Sequence, residues 1–275
     1  MTETHETETR ETDGAQGPGE TSGTRDAFAR LVLETMPEES RLGLTLGFVR
    51  TFGIPGIARV LHATGRMTHE PRVRAKATGV SMFALIGQGV ESAEGRRIVA
   101  GLRRIHDRPD ITPELMRYVL ACFTICPLRF IDDHGHRAVT DEERAAAYAF
   151  HVSLSDALGL SDDADDTGEG TEGPGPDGAG MAGVERWMRA FESRHFAPSA
   201  EGGALWAATS QGLLAARLPR PLAGLAPAVA ASLLDAPLRT ALHVRRAPAP
   251  VRALVAAALR ARAAARRRRT ARGPA

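Results

Sequence analysis

The sequence predicts an all-α fold, and three observations support this. Apolar residues recur at the spacing of a helix from Phe28 onward, first in the stripe of Phe28, Leu31 and Val32. Capping residues, prolines and glycines stand where these periodic segments begin and end. The chain has no convincing alternation of apolar and polar residues flanked by turn signals, which is the pattern of a half-buried strand. We therefore expect a single helical domain over residues 26–269.

The first half of this domain consists of short periodic segments separated by helix-starting residues. Leu42, Leu46 and Val49 form one apolar stripe, and Pro55 begins the next segment. A further helix is expected from about residue 74 to residue 86. Ser92, which is followed by an acidic first turn, is the predicted N-cap of the helix after it.

The second half carries the clearest helix boundaries. Thr112 is the expected N-cap of a helix that begins at Pro113 and runs to Pro127, apolar almost all round in its last two turns. The segment Thr140–Glu143 has the pattern of a capping box, and Gly159 is expected to stop the helix that follows. Helical spacing resumes after residue 183 and continues to residue 269.

Segments outside the periodic helices are distinguished by their composition. Residues 1–25 are rich in Thr, Glu and Gly and are predicted to be disordered, as are residues 270–275. Residues 161–183 are acidic and rich in Gly and Pro, which predicts a flexible loop. The formal net charge is only +2 because the acidic segments offset a strongly basic tail after Arg245.

The chain has the features of a protein from a reducing compartment. Cys122 and Cys126 are four residues apart in an apolar run, a spacing on a helix that suits packing more than a disulfide. The first residues lack the basic and apolar segments of a signal peptide. The longest weakly polar run, about residues 77–90, is too short to span a bilayer. We expect a cytoplasmic protein, or one peripheral to a membrane.

His106 is the strongest candidate for a functional residue. It ends a helix-periodic segment, one turn after Leu102 and on the same apolar face, with Arg103 close by. The apolar positions of the segment are Ile98, Val99, Leu102 and Ile105. A neutral imidazole in this setting can ligate the iron of a porphyrin while the guanidinium pairs with a propionate. The alternative is a core histidine whose hydrogen bonds are satisfied within the protein.

Arg74 and Thr78 are a second candidate pair. They are four residues apart and are expected to lie on one helix face, which Ser81, Met82 and Leu85 continue. A buried arginine with a hydroxyl one turn away could hold a carboxylate or bound oxygen. The alternative, favoured when the pair is taken alone, is a surface arginine beside an ordinary helical threonine.

The sequence His134-Gly-His136 is a weak metal motif. No cysteine or carboxylate cluster with the spacing of a zinc site accompanies it. A turn between two helices, just before the capping box, explains it more simply. Phosphate-binding Gly-rich loops, nucleophile elbows and His-Glu-x-x-His motifs are absent from the sequence.

The basic tail is amphipathic. Leu254, Val255 and Leu259 lie among the arginines of residues 252–269, so this helix could lie on an anionic membrane surface. A solvated terminal helix is the alternative, because the segment is rich in Ala and lacks aromatic residues. Nucleic acid is not expected as a partner, since the rest of the chain has no basic stripe interleaved with aromatic residues.

The order of these segments resembles the rubber oxygenase/MpaB catalytic-domain family. That family contains bacterial latex-clearing proteins and a fungal ER-bound oxygenase of mycophenolic acid biosynthesis. Residues 127–144 are similar to the family pattern P-x-R-x-I followed by G-x-R-x-L-T-x-x-E, and residues 102–120 resemble its core. The collinear similarity covers about residues 42–260, with the further segments 52–65, 191–199 and 234–239.

The resemblance implies a globin-like all-α domain that holds haem b and uses O2 to cleave a carbon–carbon double bond. The family's R-x-x-H corresponds to Arg103 and His106, which makes His106 the proximal iron ligand and metal site. Its R-x-x-x-T corresponds to Arg74 and Thr78, which implies that both line the distal side and act in catalysis, with Arg74 also offsetting propionate charge. The implied substrate is apolar and unsaturated, such as an isoprenoid or polyketide-like molecule. A non-catalytic haem- or lipid-binding helical protein at a membrane surface is the alternative.

Three positions depart from the family pattern. Latex-clearing proteins have a distal lysine immediately before the threonine, where this chain has Ala77, and Lys76 lies one residue earlier. That single step rotates the side chain about 100° around the helix. The aromatic residues that flank the glycine in the fungal Y-G-W-R motif are replaced by His134 and His136.

Overall fold

The computed structural model describes residues 27–160, 180–211 and 224–272. Within these ranges the chain forms twelve α-helices and no β-strand, which confirms the all-α prediction. The predicted disordered tail over residues 1–25, the predicted loop over residues 161–179 and residues 273–275 lie outside the described residues. The helices are α1 (Pro37–Arg50), α2 (Pro55–Ala63), α3 (Arg66–His69), α4 (Pro71–Gln88), α5 (Ala93–His106), α6 (Pro113–His134), α7 (Asp141–Leu158), α8 (Gly180–His195), α9 (Ala200–Thr209), α10 (Ala226–Ala231), α11 (Ala236–Ala241) and α12 (Ala249–Ala271).

Helices α1 and α6 pack together at the centre of the fold. A Cβ atom added to Gly43 would stand 2.4 Å from the Cα of Pro127, and one added to Gly47 would stand 2.5 Å from the carbonyl oxygen of Cys122. The two backbones can approach this closely because both positions are glycine. Most residues from Tyr118 to Ile131 are buried, so α6 is the central helix that its composition predicts.

Helix α6 does not end at Pro127 as expected but continues to His134. A proline inside a helix removes one backbone hydrogen bond and usually kinks or ends it. Here the residues on both sides of Pro127 are buried, including Cys126, Leu128 and Ile131. Tertiary packing therefore carries the helix through a residue that local preference alone would make its end.

The predicted helix caps are confirmed. The side chain of Ser92 accepts a hydrogen bond from the Gly95 amide at 2.9 Å. That of Thr112 accepts one from the amide three residues on at 3.3 Å. Thr140 and Glu143 form both hydrogen bonds of a capping box at the start of α7. Local sequence patterns were sufficient to place these helix starts.

Two boundaries differ by a few residues from those expected. Helix α8 already begins at Gly180, so residues 180–183 of the segment predicted as a loop are helical. Helix α12 continues to Ala271, so the first two residues of the tail predicted over residues 270–275 are helical as well. Helix ends depend on fraying and on capping geometry, so composition does not locate them to the residue.

We find no single helix in the described part of the chain with the length and apolar composition needed to cross a membrane. One bent pair of helical segments, residues 37–53 and 55–63, passes this test by length and composition when taken together. The helix axis bends by 103° between the two segments.

Candidate functional site

His106 is the last residue of α5 and is half-buried. Its Nδ1 lies 2.8 Å from the carbonyl oxygen of Leu102, which can only accept a hydrogen bond, so Nδ1 carries the hydrogen. Burial lowers the pKa of His106, against the effect of this hydrogen bond, and the positive charge of Arg74 acts in the same direction as burial. The imidazole is therefore neutral near pH 7, and its Nε2 is the nitrogen that remains for a ligand.

A cleft of about 350 Å³ opens beside His106. It lies where the end of α5, the start of α6 and the end of α7 meet, and Pro113 lies on the α6 side. Its charged wall contains Arg103, Arg104 and Asp107. Its apolar wall contains Ile111, Met116, Leu158 and Leu160. The cleft thus combines one imidazole, an apolar surface, two guanidinium groups and one carboxylate.

Arg103 lines the same cleft as His106 and extends to the end of α7. Its Nη2 lies 3.1 Å from the position that a Cβ on Gly159 would occupy, at the end of α7. The side chain is exposed and forms no ion pair with an acid in the described residues. A guanidinium in this position can pair with an anionic group that enters the cleft.

Arg74 and Thr78 form the pair that their spacing predicts. The Nη1 of Arg74 donates a short hydrogen bond to the Thr78 hydroxyl oxygen, and that hydroxyl donates to the Arg74 carbonyl at 3.3 Å. The Arg74 guanidinium lies 5.8 Å from the ring centre of Phe48. Burial, and secondarily the charge of Arg66, lower the pKa of Arg74. The guanidinium therefore faces the protein interior and is held there by neighbouring side chains.

The candidate residues differ in their relation to the cleft beside His106. Arg74 is close enough for its charge to lower the pKa of His106, but neither Arg74 nor Thr78 is among the residues that line the cleft. Ile105, expected on the apolar inward face of α5, is 54% exposed. Helix α5 ends one residue later, so its last turn is covered less than its middle.

Lys76 does not take the place of the lysine that the resemblance predicts at position 77, where this chain has alanine. Both Lys76 and Ala77 are exposed on α4, whereas Thr78 is half-buried. Consecutive residues of a helix are rotated by about 100°, so the hydroxyl and the two exposed side chains face different surroundings.

The donors present fit haem better than a bare metal ion. Within the described ranges, no group of three or more His, Cys, Asp or Glu side chains is arranged to hold an ion. A haem needs only an axial donor from the protein, because the porphyrin supplies the others. His106 has the neutral imidazole, and the backbone hydrogen bond on its other nitrogen, that are usual for such a ligand.

His134 and His136 are far from His106. They lie at the C-terminal end of α6, whereas Pro113, at its N-terminal end, lines the cleft. At about 1.5 Å per residue the separation along the helix is about 30 Å. The ring of His134 packs edge-on against Phe130 with 4.7 Å between ring centres. The weak metal motif is therefore part of a helix connection, as the simpler interpretation proposed.

No pattern in the sequence indicates the ionic network that joins α1, α8 and the residue before α11. Arg50 donates two hydrogen bonds to the carboxylate of Glu192 and one, at 2.7 Å, to Asp235. Tyr118 donates to the same Glu192 carboxylate at 3.1 Å. The hydrogen bonds to Glu192 and the charges of both acids raise the pKa of Arg50, although its burial acts in the opposite direction and is the largest single effect. These residues are separated by up to 185 positions in the chain, so no local pattern joins them.

Comparison with known proteins gives consistent results. The model of the family described as "ER-bound oxygenase mpaB/B'/Rubber oxygenase, catalytic domain" matches residues 39–267. The chain is 28% identical over 198 residues to the ER-bound oxygenase mpaB of Penicillium roqueforti (strain FM164), covering 65% of each chain. It is 29% identical over 157 residues to the ER-bound oxygenase mpaB of Penicillium brevicompactum, covering 54% of this chain and 39% of that protein. The match spans less than two thirds of the length of each relative.

Proposed function

Since this chain belongs to the ER-bound oxygenase mpaB/rubber oxygenase catalytic-domain family, we propose that it is a haem-b-dependent oxygenase. It uses O2 to oxidise or cleave a carbon–carbon double bond in an apolar, unsaturated substrate of the isoprenoid or polyketide-like class. The observation that carries this proposal is the neutral His106 imidazole, fixed through Nδ1 at the edge of a cleft that has one apolar wall. A globin-like arrangement around the cofactor is part of the proposal.

Each candidate residue has a distinct role in holding the cofactor. The Nε2 of His106 would hold the haem iron, and the carbonyl of Leu102 fixes the orientation of the imidazole ring. Arg103 would pair with a propionate in the cleft, whereas Arg74, which does not line the cleft, would contribute only the positive charge that already acts on His106. Bound haem supplies the activation of O2 for transfer to the substrate.

The remaining side chains control access and proton position. Ile111, Met116 and Leu158 provide an apolar wall that excludes water from the reacting groups. The Thr78 hydroxyl accepts a hydrogen bond from the Arg74 guanidinium. It also donates a long hydrogen bond to the Arg74 carbonyl, with 3.3 Å between the two oxygens. Because this bond is weak, the hydroxyl would be able to turn and donate a hydrogen bond to a bound ligand.

A haem titration of the purified protein tests the cofactor and its ligand. The wild type should develop a Soret band, and His106→Ala should bind haem more than about 10-fold more weakly, with a shifted spectrum. His62→Ala removes an exposed histidine from α2 and is the matched control, which should bind as the wild type does. Added imidazole should restore the spectrum of His106→Ala. Equal spectra and affinities for both variants would contradict the assignment of His106, and failure of the wild type to bind haem would refute the cofactor.

The departure at Ala77 favours one second candidate, a non-catalytic haem- or lipid-binding protein. An exposed alanine at the position of the distal lysine leaves no amine to assist the reaction there. Oxygen consumption by the reconstituted protein with apolar alkenes separates the two functions. Uptake that depends on both haem and alkene supports the oxygenase, whereas haem binding without such uptake supports the alternative. The cytoplasmic location stays a prediction, and "ER-bound" describes the relatives.

A further inference from the structure

The C-terminal region carries a concentrated positive charge. Residues 245–275 contain ten arginines and no Asp or Glu. Seven of these arginines are exposed in the structure, at positions 245, 246, 260, 267, 268, 269 and 272. Because no acid is interspersed with them, their field is not neutralised along the helix.

Two other arginines fix α12 to the rest of the protein. Arg262 forms ion pairs with Glu38 and, at 3.2 Å, with the buried Glu39 at the start of α1. Arg266 donates to the carbonyl of Thr35 at 3.3 Å. Ala263 lies between them and is 5% exposed. These contacts determine which face of α12 turns inward, and therefore which face turns outward.

The outward face of α12 has an apolar half and a basic half. At about 100° per residue the exposed residues on this face follow one line along the helix. They are Leu254, Ala258, Ala261, Ala265, Arg268 and Arg272. Leu254 is 66% exposed, and Arg269 flanks the basic end. The alanines keep the surface flat, so the helix backbone can lie close to a plane.

The geometry points to an anionic lipid bilayer as the partner of this face, with α12 lying along the membrane surface. Guanidinium groups pair with lipid phosphates, while Leu254 and the alanine stripe meet the apolar boundary beneath them. A lipid surface fits better than nucleic acid, since residues 245–272 contain no aromatic side chain on which a base could stack.

Docking through α12 is separate from the proposed haem chemistry. Burial and the charge of Arg137 are larger causes of the lowered pKa of His136, but the charges of Arg266 and Arg267 also lower it. This end of α12 therefore lies beside the C-terminal end of α6. The cleft beside His106 lies at the other end of α6. Loss of membrane binding should therefore leave haem binding unchanged, and the two proposals can fail independently.

Co-sedimentation with vesicles tests this inference on the full chain. The wild type should bind vesicles containing about 30% phosphatidylserine, and not vesicles of phosphatidylcholine alone, with binding that weakens as salt rises. The triple variant Arg268→Gln, Arg269→Gln and Arg272→Gln should lose about 100-fold in partition coefficient, or about 5-fold for each charge. Lysine at the same three positions should retain most of the binding.

The matched control removes the same charge elsewhere. Arg30→Gln, Arg59→Gln and Arg194→Gln change three exposed arginines outside α12, and this variant should bind within a few-fold of the wild type. Equal losses in both triple variants, or undiminished binding of the α12 variant, would overturn the proposal. So would binding to a short DNA duplex at a salt concentration at which the anionic vesicles are not bound.

Discussion

His151 should make the stability of this protein fall as the solution becomes acidic. The residue lies on α7 with 6% of its surface exposed, and its Nδ1 is 3.1 Å from the Oγ1 of Thr124. The Thr124 hydroxyl donates to the carbonyls of Leu120 and Ala121, so its oxygen accepts the N–H of His151. Burial lowers the pKa of His151 from 6.5 to about 4.

The sign and size of the effect follow from this difference. In the unfolded chain His151 becomes protonated below pH 6.5, whereas in the folded protein it stays neutral down to about pH 4. The stabilisation is therefore fully present above pH 6.5 and is lost as the pH falls towards 4. At about 1.4 kcal/mol for each pH unit, the free energy of unfolding should decrease by about 3 kcal/mol over this range.

Urea unfolding of the wild type and His151→Gln, from about pH 7 to pH 4, measures this change. Glutamine does not titrate, and its amide can still donate to Thr124. Burial also lowers the pKa values of His106, His134 and His136, but these residues are common to both proteins. The difference between the two curves should change by about 3 kcal/mol. The same pH dependence in both proteins would refute the reasoning.

Three further predictions concern packing, charge and capping, each measured by urea or thermal unfolding. Gly47→Ala places a Cβ 2.5 Å from a backbone oxygen of α6 and should lower the free energy of unfolding by about 1–3 kcal/mol. Gly203→Ala, whose Cβ would have no atom within 4 Å, should leave that free energy unchanged or raise it. Glu192→Gln leaves the buried Arg50 without its closest negative partner and should lower the free energy of unfolding by about 3–5 kcal/mol. A decrease below about 1 kcal/mol would contradict a tight ion pair. Thr140→Ala removes the capping box and should lower the free energy of unfolding by about 1 kcal/mol, with unchanged stability as the opposing result.

Much of the fold could be predicted because helices are local structures. The caps at Ser92, Thr112 and Thr140 use hydrogen bonds to residues three positions away, so each is visible as a short sequence pattern. The end of α6 could not be found in this way, because Pro127 is a local stop signal that buried packing overrides. The start of α8 at Gly180 could not be predicted from local pattern either, because glycine has a low helical propensity.

The candidate site was predictable in its residues more than in its geometry. The spacing of Arg74 and Thr78 was sufficient to pair their side chains, and the apolar face of α5 was sufficient to single out His106. The packing position of the end of α7 decides two features that the sequence does not show. Arg103 extends to Gly159, and Arg104 lines the same cleft. The collinear order of the motifs, rather than any one residue, led to the family.

The sequence by itself determined the helical class, most helix starts and the candidate ligand, because each follows from interactions within about one helical turn. The tertiary structure alone decided the nitrogen of His106 that stays free, the cleft beside it and the inward face of α12. It also brought Arg50 to Glu192 across 142 positions of the chain. Such contacts exist only after the helices have packed, and burial and charge then act between residues that no sequence spacing relates.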